Sequence, residues 1–343
     1  MFKKFAALLL LAGATVQAQA ADTLTVVSFG GDNKVAQDKA FYQPFSAQHN
    51  ASVIASEYNG EMAKIKVMAD TGYTSWDVVE VETPELVRGC SDGLFEQLDW
   101  SKLGKKEDFL DAAVSDCGVG IFIWSTLLTY DSSKLAEAPT SWADFWDTER
   151  FPGKRGLRRG AKFTLEFALL ADGVQLDDLY KVLGTKEGVD RAFRKLDQLK
   201  ANIQWWEAGA QPLQWLASGD VVMTSAYNGR ITTAQKEGQP FVMQWNGSLY
   251  DVDHWAIVKG SKNKALAEQF IALANRPEQQ KVFAEAIPYG PTNIHTLALI
   301  DPAIRPVLPT APENLEHARA MDTEFWIDHG EALEQRFFAW ASQ

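Results

Sequence analysis

Two carboxylates stand two residues apart in "LYDVDHWAIVKG", Asp251 and Asp253, just ahead of an apolar run from Trp255 to Val258 that reads as a buried strand. Aspartate has poor strand propensity, and a buried carboxylate is costly unless something positive neutralises it. On a strand the two acids share one face while His254 points to the other. The chemistry open to such a pair is cation binding. One reading is an exported metal-dependent enzyme built on Asp251, Asp253 and His254, with calcium the metal best suited to oxygen ligands. The other is an ammonium group, which pairs with a carboxylate and hydrogen bonds to it at once.

A second acidic strand end occurs in "SWDVVEVETPEL", where Glu80 and Glu82 lie on one face and Glu82 sits where strand becomes helix. Capping of that helix by Glu82 or Thr83 is the plainer reading. Glu166 is an acid inside the apolar helical run "KFTLEFALLADG", for which a salt bridge to Arg158, Arg159 or Lys162 is the plainer account. Aromatic residues fall at strand or loop ends, among them Phe29, Trp206, Tyr227, Tyr250, Trp255 and Tyr289. Their faces would hold a carbon chain and add cation–π attraction of about 0.5 to 2 kcal/mol each to an ammonium. In "SFGGDN" backbone donors meet a helix start, and Asp32 is either its cap or a ligand contact. Nucleotide loops and H-E-x-x-H are absent from the sequence, and the five histidines never pair at ligand spacing.

The elements that must position these residues alternate. "LTVVSFGGDN", "ASVIASEY" and "WDVVEVE" read as strands separated by the helices "KVAQDKAFYQPFSAQH" and "GEMAKIKVMADTG", the pattern of a parallel sheet covered by helices. From "SWADFWDTERFPGKRGLRRG" the pattern restarts, with strands in "GDVVMTSA", "PFVMQWN" and "HWAIVKG", so a second α/β unit is expected. No flexible linker joins the units, and a cleft between them is the natural ligand site. Lys3 and Lys4, an apolar run and Ala18-Gln19-Ala20 mark residues 1–20 as a secretory signal peptide. Its removal takes the formal net charge from −12 to −14, which argues against nucleic acid or anionic lipid as partner. Cys90 and Cys117, an isolated pair in an exported chain, most simply form a disulfide, two buried thiols being the alternative.

These motifs, taken in order, resemble the periplasmic solute-binding proteins of ABC importers, in particular the spermidine/putrescine-binding family. The resemblance runs through "LTVVSFGGDNKVAQDKAFYQPF", "WDVVEVE", "GDVVMTSAYNGRI", "DVDHWAIVKGSKNKALAEQFI" and "IPYGPTN". It implies a type II periplasmic binding protein fold, two α/β lobes closing like a hinged clamp. The first lobe would hold residues 22–128 plus 254–295, and the second 129–253 plus 296–343. It also implies an ammonium ligand at Asp253, with Phe29, Glu82, Glu166 and Tyr289 as further site residues. Departures are visible: the acid and tyrosine of the family's first loop are replaced by Gly31 and Asp32. The tryptophan two residues before the key aspartate is Asp251, and the second-lobe W-x-G-D stretch reads "AYNGR", leaving Tyr227 and Asn228 as nearest equivalents.

The expectation is therefore a monomeric periplasmic receptor, without cofactor, metal or catalysis, that captures putrescine or a related polyamine for an inner-membrane ABC permease. The rival keeps the fold and binds an omega-amino acid such as 4-aminobutyrate or 5-aminovalerate, whose carboxylate would need Arg230, Arg159 or the Gly30-Gly31 amides. An iron(III) receptor would want adjacent tyrosines, and Tyr227 stands alone.

Overall fold

The computed structural model describes residues 22–342, so the expected signal peptide lies outside the described residues. The first three apolar runs form β1 (Asp22–Phe29), β2 (Ala51–Tyr58) and β3 (Val78–Glu82), with β1 between the other two and parallel to both. At the opposite end β5 (Arg155–Arg158) lies between β6 (Ile203–Trp206) and β7 (Met223–Tyr227), again parallel. Two long strands, β4 (Gly118–Asp131) and β8 (Phe241–Ile257), run antiparallel through the middle and join these ends. The sheet order is β2-β1-β3-β8-β4-β7-β5-β6, with β9 (Gly290–Pro291) on β4 and β10 (Ala318–Ala320) on β8.

The structure corrects the expected strands in one respect that matters for the site. "PFVMQWN" and "HWAIVKG" are two ends of the single strand β8, so Asp251 and Asp253 sit inside it rather than leading into it. Pairing explains this: β4 flanks β8 on one side, and β10 then β3 flank it on the other. A ladder satisfied on both edges outweighs the poor strand propensity of aspartate and glycine. The lobe divisions expected at 128/129 and 253/254 fall within β4 and β8.

Packing holds these strands rigidly. Trp255 is fully buried, edge-on to Phe41 at 6.3 Å and to Phe270 at 5.5 Å between ring centroids. The helical run after β1 widens to a five-residue π turn over Asp38–Tyr42, directly before Pro44. A proline ring clashes with the carbonyl four residues back, and the wider turn relieves that clash. Cys90 and Cys117 are joined as a disulfide with 5.8 Å between their Cα atoms, tying the helix Thr83–Ser91 to the residue before β4.

Candidate functional site

A cavity of about 400 Å³ opens where β1 and β3 end and β4 and β8 pass. Phe29, Glu82, Tyr227, Arg230, Asp253 and Tyr289 all line it. Asp253 lies in register between Glu82 of β3 and Phe122 of β4, so its backbone is fixed on both sides. Its side chain accepts a 2.6 Å hydrogen bond from Trp124 Nε1. Rings form the walls: Phe29 stacks on Tyr58 at 5.3 Å, Tyr289 on Phe122 at 4.8 Å, and Tyr227 stands edge-on to Trp124 at 5.1 Å.

Behind Asp253 is Glu80, fully buried. Register places Glu80 opposite Trp255 and Glu82 opposite Asp253, so Glu80 and Asp253 are diagonal neighbours on one face. Glu80 receives the Phe29 amide at 3.2 Å, Gln37 Nε2 at 2.9 Å and Asn33 Nδ2 at 3.0 Å, and the Tyr58 hydroxyl donates to its backbone carbonyl. Burial, reinforced by the charge of Glu80, holds Asp253 well above the usual carboxylate range.

Glu82 behaves differently although it lines the same cavity. Lys162 Nζ stands 2.5 Å from one of its oxygens and Arg158 Nη1 3.5 Å from the other. Burial alone would push Glu82 up, but these two cations outweigh it and hold the carboxyl below its ordinary value. The expectation that Glu82 awaits a ligand ammonium is corrected accordingly, since its charge is taken up by the protein.

The opposite wall carries positive charge. Arg230 is 5% exposed and donates from Nη2 to the Gly30 carbonyl at 2.8 Å, while its buried Nε–H has no hydrogen-bond partner among the described residues. Two glycines allow the guanidinium to sit there. A Cβ on Gly31, whose φ is 69°, would come within 2.6 Å of Nη1, and a Cβ on Gly209 within 2.9 Å of Nε.

Other expected site residues lie elsewhere. Asp32 is exposed on the first turn of the helix Asp32–Gln37, outside the cavity, and Gly31 holds the cap position. Glu166 is fully buried away from the cavity, accepting from Trp326 Nε1 at 2.8 Å and the Tyr180 hydroxyl at 3.1 Å. Its apolar surroundings, not a ligand or a salt bridge, account for its elevated pKa of about 7. Asn228 is structural: its side chain accepts from Ser125 N at 3.0 Å and donates to Pro288 O at 2.7 Å, tying β4 to the segment before Tyr289. The metal centre considered for Asp251, Asp253 and His254 is not assembled: among the described residues no group of three such side chains is placed to hold an ion, and His254 points to the sheet face opposite the two acids. Asp251 accepts from the Thr83 amide at 3.2 Å at the start of a helix, and both ring nitrogens of His254 face backbone carbonyls at 3.1 Å. Trp124 and Arg158 were not legible as site residues: one lies in a largely apolar run, the other ends β5 in a basic stretch with several equivalent arginines.

The bacterial extracellular solute-binding protein family matches residues 40–302 of the chain. A gamma-aminobutyric acid-binding protein of Pseudomonas aeruginosa is 63% identical over 330 residues, which cover 96% of this chain and 94% of that relative. A spermidine/putrescine-binding periplasmic protein of Salmonella typhimurium is 26% identical over 321 residues, 88% of each chain. Among solved structures, a GABA receptor matches with a TM-score of 0.83 and 34% identity, over 93% of this chain and 98% of that one.

Proposed function

Because this chain belongs to the bacterial extracellular solute-binding protein family, we propose that it captures a short omega-amino acid, 4-aminobutyrate foremost, in the periplasm and delivers it to an ABC permease. Its mixed α/β fold is the periplasmic binding protein fold of the solved receptor above. The observation that carries the ligand reading is the pairing of opposite charges across one cavity. Among the described residues Asp253 offers a carboxyl with no cation paired to it, and Arg230 a buried N–H with no acceptor. A zwitterion answers both. Its ammonium meets Asp253 and its carboxylate meets Arg230, while Phe29, Tyr227 and Tyr289 sheath the methylene chain.

The polyamine assignment is corrected in favour of its rival. The relative named for gamma-aminobutyric acid stands at 63% identity and that named for polyamines at 26%. A diamine would also press its second ammonium against Arg230, and the other acids that line the cavity are already paired: Glu57 with Lys34, Glu82 with Lys162 and Arg158, and Glu207 with Arg159.

Calorimetric titration of the dialysed protein with 4-aminobutyrate and 5-aminovalerate, against putrescine and cadaverine, tests this. The zwitterions should bind at least about 100-fold more tightly, roughly 3 kcal/mol for one misplaced charge. Preference for the diamines would refute it.

A further inference from the structure

Two buried carboxyl groups side by side with no cation between them cannot both ionise, and Glu80 and Asp253 are buried diagonal neighbours on one face of the sheet. The donors around them are unequal. Glu80 is served by the Phe29 amide, Asn33 and Gln37, whereas Asp253 has Trp124. Glu80 is thus the better-supported anion, and the proton belongs on Asp253, the member that faces the cavity. We propose that this pair holds one proton when the cavity is empty and that the ammonium group of the ligand displaces it, so that each omega-amino acid captured releases one proton to solvent. The inference rests on the ligand reading above. Glu80, which does not line the cavity, is a positioning residue acting through Asp253.

The other charged and titratable groups around the pair do not supply the missing positive charge. Tyr42, Tyr58, Tyr227 and Tyr289 face it from four different elements, and burial keeps all four phenols protonated. Glu82, from β3, adds negative charge that Lys162 and Arg158 offset. Arg230 lies on the far wall, bonded to Gly30. An ammonium at Asp253 therefore brings both the counter-charge and the hydrogen-bond donor that the proton had provided.

The test is the affinity for 4-aminobutyrate from about pH 6 to about pH 8, with calorimetry in buffers of contrasting ionisation enthalpy. The dissociation constant should fall about tenfold per pH unit, and the buffer-dependent heat should correspond to about one proton released. Glu80→Gln, which leaves Asp253 with no acid to share with, should flatten the pH slope; a variant defective only in packing would keep it. The wild-type titration decides the matter even if that variant does not fold. Tight binding with no pH slope and no buffer dependence overturns proton release and leaves the ligand reading standing. Failure of every omega-amino acid to bind overturns both.

Discussion

Glu166→Gln should stabilise the protein in mildly alkaline solution and change it little in mildly acidic solution. The carboxyl is fully buried, and desolvation raises it from 4.5 to about 7. For an acid whose folded-state value is raised, the folded chain holds the proton more tightly, so stability is fullest below about 4.5 and declines as pH climbs towards 7. At about 1.4 kcal/mol per tenfold change in acidity, that decline is about 3 kcal/mol. Glutamine cannot ionise and keeps an oxygen to accept from Trp326 and Tyr180. The stability difference between variant and wild type should therefore be about 3 kcal/mol larger at about pH 8 than at about pH 5. Urea denaturation of the ligand-free protein, followed by tryptophan fluorescence at both values, measures it. An equal difference at the two pH values would refute the argument. A tenfold or greater loss of affinity for 4-aminobutyrate in this variant would return Glu166 to the binding site.

Arg230→Gln should weaken 4-aminobutyrate binding by about 2 to 5 kcal/mol, the usual effect of removing a buried charge-assisted partner, and a calorimetric loss below about 1 kcal/mol would move the carboxylate elsewhere. Replacing both Cys90 and Cys117 by serine should lower unfolding stability by about 3 to 4 kcal/mol, given the 27-residue separation of the bridged cysteines; an unchanged urea midpoint would contradict this. His254 is buried neutral, its pKa lowered by desolvation to about 4, so its contribution is complete above 6.5 and lost as pH falls towards 4. His254→Gln should shrink the acid-induced loss of stability in that window, and a variant as acid-sensitive as wild type would exclude this histidine as the cause.

The sequence displayed both halves of the ligand reading, though not their weights. Asp253 and Glu80 were visible as acids on strand faces because a two-residue period survives any register. Arg230 was visible only as a condition on the ligand, since nothing local says that Gly30, Gly31 and Gly209 gather around it. The neutralisation of Glu82 depends on Lys162 and Arg158, some eighty positions away in the chain, and no periodicity encodes such a meeting. Glu166 was misplaced by resemblance, although its neighbours Leu165, Phe167, Ala168 and Leu169 already marked a buried face. Strand β4 escaped the sequence reading because all fourteen of its residues are buried, and a run buried on both faces shows no alternation. The central length of β8 was lost to the low propensity of "GSLYDVD", which pairing on both edges overrides.

The two ends of the cavity differ in how freely they can change by descent. Asp253 is locked between neighbours on both edges of its strand, so a substitution there or at Glu80 disturbs the middle of the sheet as well as the ligand. Arg230 sits on the short helix Asn228–Lys236, and Gly209 in a turn, where backbone shifts propagate little. On the proposed ligand reading, a lineage exploring new nutrients would therefore keep the end at Asp253 and vary the end at Arg230. Receptors descended from a common ancestor of this chain should differ in diet chiefly at Gly31, Gly209, Tyr227 and Arg230.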